Sequence, residues 1–505
     1  MKEISKKRAS LLNMIFMGLY QLVTALFGFI LPSLIMHTYG ANLHGYTTTV
    51  STIMGYIALI NAGLAPAAIQ ALYTPLAKKD KREINAVLNA IDHFYIISGV
   101  LYTVAVVVIS VLLPYILNNQ LPSNIVVSLM IVIGASNTLE CFIYSKYRIL
   151  LQADQKLYVV AIADTLAYFF RVLIQILLIR NSCSIVLVML VPALMVIVRM
   201  KILSLYCKKT FFSFDRTIKP NNLALSKRWS AMVHQISTLV VNNTDVIFLT
   251  IFRNLIEVSI YSVYNLIFSH INILLNSVFS NGTVASFGRL LQNGDQKRLK
   301  EAYDIYEFGY YAVISFVYGV TASMILPFIS IYTKEMKGID YYSFSLACLF
   351  VLIGLANHLR MPGVTMITAA GHYRETQGRA ILEAAINIFI SLLLVKPLGM
   401  YGLLFGTLCS FLYRTIDIII YVKKYIVKCS YKITVMRILK VFVVSGTSVI
   451  LYRIIFNVYR VDSWLMWIIY AIASLLLTLL LDVLINYTTE KKMFVACIGL
   501  LKVGK

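Results

Sequence analysis

Of 505 residues, 59% are hydrophobic and 13% charged, with a mean hydropathy of +0.80. Soluble domains carry about 25% charged residues, so this composition excludes a fold whose surface faces water. The net charge of +23 does not mark a nucleic-acid binder, because Lys and Arg fall in short clusters between apolar stretches instead of forming one contiguous soluble surface.

A helix that crosses the roughly 30 Å hydrocarbon core needs about 17–25 residues. Stretches of that kind lie near 11–36, 45–73, 92–116, 124–149, 157–180, 184–206 and 229–252. Others follow near 258–285, 304–328, 341–360, 379–395, 400–422, 435–458 and 464–487. An all-α polytopic membrane protein of about fourteen spans is expected, since only helices and closed barrels satisfy every backbone polar group in lipid. The first stretch exceeds the 7–15 apolar residues of a signal peptide and is expected to be retained. Pro32, Pro66, Pro114, Pro192 and Pro327 are expected to kink their helices.

Basic clusters recur on alternate sides of these segments. One side holds Lys78, Lys79, Lys81 and Arg82, then Lys146, Arg148 and Lys156, then a long run from Arg199 to Arg228. Arg289, Lys297, Arg298 and Lys300 follow, and then Arg360, Arg374, Arg379, Lys423, Lys424, Lys428, Lys432, Arg437 and Lys440. The other side holds Arg180, Arg253, Lys334, Lys337, Lys396 and Arg460. The positive-inside rule then puts both termini in the cytoplasm, beside anionic membrane lipid. The seven cysteines show no CxxC or metal-ligand spacing and are expected to act as small hydrophobes, with no metal and no cofactor.

The chain repeats itself. Tyr46 aligns with Tyr261, an offset of 261 − 46 = 215, and the same offset carries Asn61 onto Asn276 and Asp80 onto Asp295. LAKKDKREINAVL and LQNGDQKRLKEAY become cognate loops. Six spans separate the copies, so both enter the membrane in the same direction, as a parallel repeat. The expected division is a six-helix lobe over 1–206, a cytoplasmic linker over 207–228, a second six-helix lobe over 229–428, and two extra helices with a tail over 429–505.

With this organisation, the segment NAGLAPAAIQ running into the basic loop with Asp80, and NNTDVIFLTIF with VSIYSVYN further on, the chain resembles the multidrug/oligosaccharidyl-lipid/polysaccharide (MOP) exporter superfamily. Within it the resemblance is to the Wzx-type polysaccharide flippases. That resemblance implies two lobes about a central cavity and a substrate consisting of an undecaprenyl-diphosphate-linked oligosaccharide, moved from the inner to the outer leaflet of a bacterial plasma membrane. It also implies other polysaccharide-assembly proteins as partners and no catalytic residues.

Charged groups at membrane depth cost about 2.5–3.5 kcal/mol each at a helix centre, which singles out a few residues. Asp164 and Arg171 lie seven apart in one segment, Arg414 and Asp417 three apart in another, and Glu140 sits in a third. A guanidinium matches phosphate oxygens in bidentate geometry, so Arg171 and Arg414 are candidate diphosphate ligands. The competing reading pairs Arg171 with Glu140 or Asp164, and Arg414 with Asp417. Tyr261, Asn265, Asn272 and Asn276 share one helical face, and His234, Asn242 and Asp245 form a similar stripe. Amides can pair with sugar hydroxyls and tyrosine can stack on a sugar ring, although such residues also bond helices together. Asp245, Asp164, Glu140 and Asp417 are candidates for coupling to H+ or Na+.

No G-x-x-x-x-G-K-[ST], H-E-x-x-H or G-x-S-x-G string occurs. A lipid II-type flippase and a drug or cation antiporter of the same superfamily remain alternatives. A membrane polysaccharide polymerase would need a large external loop, and the longest here runs from Thr333 to Asp340.

Overall fold

The computed structural model describes residues 6–211, 214–221, 228–279, 281–336, 338–457 and 460–503. All regular structure among them is helical: α1 (Lys6–Tyr39), α2 (Ala41–Ile57), α3 (Leu64–Lys78), α4 (Lys81–Ile116), α5 (Ser123–Leu139), α6 (Ser145–Ala153), α7 (Leu157–Arg180), α8 (Ile185–Thr210), α9 (Arg228–Phe252) and α10 (Leu255–Phe279). There follow α11 (Asn281–Gln292), α12 (Gln296–Tyr332), α13 (Phe344–Leu359), α14 (Met361–Ala370), α15 (Tyr373–Leu398), α16 (Met400–Tyr421), α17 (Lys432–Phe456), α18 (Trp464–Thr489) and α19 (Lys491–Val503). Among the described residues, 13 helices are long and apolar enough to span a membrane, or 14 if one bent pair counts as a single span. Leu, Ile, Val and Phe side chains stand exposed along α4, α7, α8, α16 and α18, where lipid is their solvent. The protein is a multi-pass, all-α membrane protein.

The repeat read from one loop governs the elements. α4 and α12 begin 215 residues apart, at Lys81 and Gln296, as do α8 and α16, at Ile185 and Met400. The cognate aspartates do the same work in each copy. Asp80 caps α4 by accepting the Arg82 and Glu83 N–H groups (3.0 and 3.1 Å), and Asp295 caps α12 through the Arg298 N–H (3.0 Å).

Three expected spans are broken in ways that hydropathy does not reveal. The stretch 45–73 is the bent pair: α2 tightens into a 3-10 turn at Ala58–Asn61, Gly63 takes a left-handed φ of 75°, and α3 leaves at 41°. The break lies at Gly63 and not at Pro66, because proline is tolerated in a first helical turn where its missing N–H has no partner to lose. The stretch 124–149 is α5 and α6 joined by a π-helical turn, Glu140–Tyr144, and 341–360 ends within the α13–α14 pair.

The chain divides into two compact units, Met1–Ser259 and Ile260–Lys505. In the first, α1 packs on α7, α5 on α4 and α8, and α9 along α2. That last contact is polar, through Thr49 Oγ1 with Thr250 Oγ1 (2.8 Å) and Tyr56 Oη with Thr244 Oγ1 (2.9 Å), and α2 also meets the start of α10 through His44 Nδ1 and Ser259 Oγ (2.8 Å). In the second, α12 packs on α13, α17 and α18, and α15 on α16. α17 is held to α12 by charge. Arg437 donates to Asp304 (2.7 Å) and Glu307 (3.1 Å), and Glu307 also takes Lys423 (3.1 Å). Glu490, just beyond α18, accepts from the same Arg437 (2.7 Å) and from Lys440. Arg437 and Glu307 are 2% and 1% exposed, so Arg437, one of the basic residues of that cluster, is a buried structural ion.

Candidate functional site

In the first unit a cavity of about 750 Å³ opens among α1, α2, α5, α7 and α8. The π-turn that begins at Glu140 places that carboxylate on the cavity wall; such bulges re-aim side chains and cluster at functional sites. Opposite, α7 contributes Asp164, Tyr168 and Arg171 at four- and three-residue spacing, which puts them on one face, and α8 contributes Arg199.

The pairing inside this cavity is not the one expected from sequence. Arg199 donates to Asp164 (Nη1 to Oδ1, 3.3 Å) and lies 3.9 Å from Glu140 Oε2. Arg171 pairs with neither acid: its Nε donates to Gln175 Oε1 (3.2 Å), and its guanidinium sits 5.7 Å from the Tyr168 ring centre. Gln175 is fully buried, and its Nε2 donates to the Val188 carbonyl on α8 (3.0 Å). A locked carboxamide therefore holds Arg171 from behind, and no carboxylate among the described residues comes within ion-pair distance of it. Arg199 was missed as a cavity residue because the apolar stretch around it ends soon after, which reads as a cytoplasmic edge; α8 runs on to Thr210.

Arg414 has the opposite environment. It is 6% exposed, with Nε 3.4 Å from Glu383 and Nη1 donating to Asp417 (2.8 Å). Glu383 also takes Arg360, Asp417 also takes Arg379, and Arg360 lies over Phe411 (4.3 Å). Arg414 and Asp417 thus belong to a cluster of three arginines and two acids, the internal pairing that the sequence offered as the competing reading.

The polar stripes divide as well. Tyr261 is buried and packs against Phe350 (5.3 Å between ring centres). Asn276 donates to Asn272 (3.1 Å), which spends both amides on each other in part, and Asn265 is half-buried on the same helix. Asp245 is 1% exposed. His234 belongs to α9, but its side chain lies outside the described residues. Asn242 lines a second cavity of about 590 Å³ at the α2–α3 break, which shares Gly55, Ala58 and Asn243 with the first. No group of three or more His, Cys, Asp or Glu able to hold a metal occurs among the described residues.

Solved structures share this fold. An inward-facing multidrug resistance MATE family transporter of the MOP superfamily superposes with a TM-score of 0.65 at 13% identity, covering 85% of this chain and 98% of its own. The lipid II flippase MurJ, in an inward closed conformation, gives 0.62 at 13% identity over 94% of this chain and 99% of its own. A MOP superfamily transporter from Pyrococcus furiosus, described as having a binding pocket of reverse polarity, gives 0.55 at 14% identity, covering 86% and 96%. No family model and no curated protein matches the chain. The likeness is one of fold: that of MOP transporters and flippases.

Proposed function

We propose that this chain is a flippase that carries a polyprenyl-diphosphate-linked oligosaccharide from the inner to the outer leaflet of a bacterial plasma membrane by alternating access. The observation that carries this reading is Arg171, a guanidinium braced by Gln175 and Tyr168 in a cavity and, among the described residues, left without a carboxylate. A permanently charged group at membrane depth is stabilised when an anion completes it, and a diphosphate offers the paired oxygens a guanidinium matches. Arg199 can join it once Glu140 or Asp164 takes up a proton or Na+, which makes those two acids the coupling candidates. Asp245 remains a further one.

In this reading, which the basic clusters support, both termini are cytoplasmic, and the moving bodies are the lobes 1–206 and 229–428 joined by 207–228, with 429–505 carried on the second. Anionic lipid faces the basic edge, and polysaccharide-assembly proteins supply and consume the substrate. A lipid II-type flippase is the second reading, favoured over a drug antiporter by the larger share of this chain that MurJ spans, 94% against 85% for the MATE structure.

The test is Arg171→Gln expressed to the wild-type level in a strain lacking the gene. Lipid-linked oligosaccharide should accumulate on the inner leaflet; normal export by this variant would refute the proposal.

A further inference from the structure

Beside the charged cavity, the 590 Å³ cavity at the α2–α3 break has a different chemistry. Its lining contains no ionisable side chain: α9 presents Gln235, Thr238 and Asn242, spaced three and four apart on one face, and the break presents Asn61. Across from the amides lie Gly55 on α2 and Ala58 and Ala62 in and just after the 3-10 turn that follows it. Small side chains there leave the space open, because α2 and α9 close tightly just beyond it, from Tyr56–Thr244 to Thr49–Thr250.

The carboxamides are positioned but not spent. Gln235 accepts the Gly63 N–H (2.9 Å), which ties α9 to the helix break, and among the described residues its Nε2 has no partner. Asn61 donates to Cys141 Sγ (3.2 Å) while its Oδ1 is buried without a hydrogen bond. Asn242 makes no hydrogen bond among the described residues and is exposed to the cavity. Amide groups with unmet hydrogen bonds at membrane depth are unfavourable unless something polar occupies the space between them.

From these observations we infer that the α2–α9 cavity is a subsite for the neutral, polyhydroxylated part of the substrate, a glycan, adjoining the charged subsite at Arg171. The inference rests on the proposed flippase function. A carboxamide both donates and accepts, as a hydroxyl does, so a cluster of them recognises sugars and discriminates against charged or purely apolar ligands. The volume lies within the 300–1,000 Å³ range of small-molecule sites. The walls shared through Gly55, Ala58 and Asn243 make the two subsites contiguous, as a sugar joined directly to a diphosphate requires. Asn61, Gln235 and Asn242 are the specificity-determining residues.

Two probes separate the parts: undecaprenyl diphosphate, and the same lipid carrying a single N-acetylglucosamine, each titrated against the full-length protein in lipid nanodiscs. Asn242→Leu and Ala58→Phe, one removing an amide and one filling the cavity, should weaken binding of the glycosylated probe at least fivefold more than binding of the bare one. A thermal unfolding midpoint within a few degrees of wild type shows that each variant is folded. Equal effects on both probes, or no effect on either, overturn the glycan subsite. Arg171→Gln in the same assay should weaken both probes together. If it weakens neither, the proposed function falls, whatever the amide variants do.

Discussion

Arg199 and Arg414 occupy the same position of the repeat, since 414 − 199 = 215 and α8 and α16 begin at the same interval, yet they live in different chemistry. Arg199 meets Asp164 at 3.3 Å and Glu140 at 3.9 Å on the wall of a 750 Å³ cavity, with Arg171 on the same wall. Arg414 is closed in by Glu383, Asp417, Arg360 and Arg379. At one position of the repeat the neighbours leave the arginine on a cavity wall, and at the other they enclose it in ion pairs. The difference teaches that charge at membrane depth is not by itself a mark of function. What matters is whether the partners of that charge use up its hydrogen bonds.

The largest expected effect that tests this contrast is on stability. Arg414→Gln leaves Glu383 and Asp417 buried with fewer partners and should destabilise the protein by about 3 kcal/mol or more, read from unfolding in detergent. Arg171→Gln should cost less than about 1 kcal/mol in the same measurement, since no buried acid depends on it. Equal losses in the two variants would erase the distinction between a working and a structural arginine.

A smaller effect is expected where the first unit is most tightly closed. A Cβ on Gly45 would lie 1.9 Å from the Leu255 carbonyl oxygen, and a backbone atom cannot swing aside as a side-chain tip can. Gly45→Ala should cost about 1–3 kcal/mol by overpacking and weaken the seam that runs through His44–Ser259. An unchanged unfolding curve would show that the helices do not approach so closely.

The smallest effect concerns the ionic tie of the second unit. Burial alone would push the Glu490 carboxyl up, but hydrogen bonds from Arg437 and Lys440, together with their charges, hold it below the ordinary carboxylate value. A lowered native value means that the folded state binds the proton less readily than the unfolded chain. This contribution to stability is therefore complete above the ordinary carboxylate pKa, near about 4.3, and is lost as the pH falls through the lowered value. Glu490→Gln should flatten the acid limb of a stability–pH curve; an unaltered limb would place the tie elsewhere.

Much of the architecture was legible in residue order. The apolar stretches and the 215-residue offset that pairs Asp80 with Asp295 could be read without coordinates, because span length and self-similarity are properties of residue order; that both aspartates cap helices is a feature of the structure. The helix break was less legible: a run of apolar residues through Gly63 hides a turn whose signal is one positive φ. Of the candidate site residues, Arg171, Asp164, Glu140 and Asn242 line the two cavities, whereas Tyr261, Arg414 and Asp417 turn into packing or ion pairs. Gln175 and Gln235 carried no signal, since an amide in an apolar run looks the same whether it braces a ligand group or faces a neighbouring helix.

By itself the sequence determined that the chain is solvated by lipid, that it has about fourteen stretches long enough to cross the bilayer, and that stretches 215 residues apart resemble one another. Those properties follow from the transfer energy of consecutive residues and from self-similarity, both of which are one-dimensional. Only the tertiary structure decided which acid each arginine meets and which polar stripe faces open space. Helical periodicity sets a residue's direction about its own axis, but the rotation and approach of the neighbouring helix choose whether that direction ends at a carboxylate, a ring or a cavity.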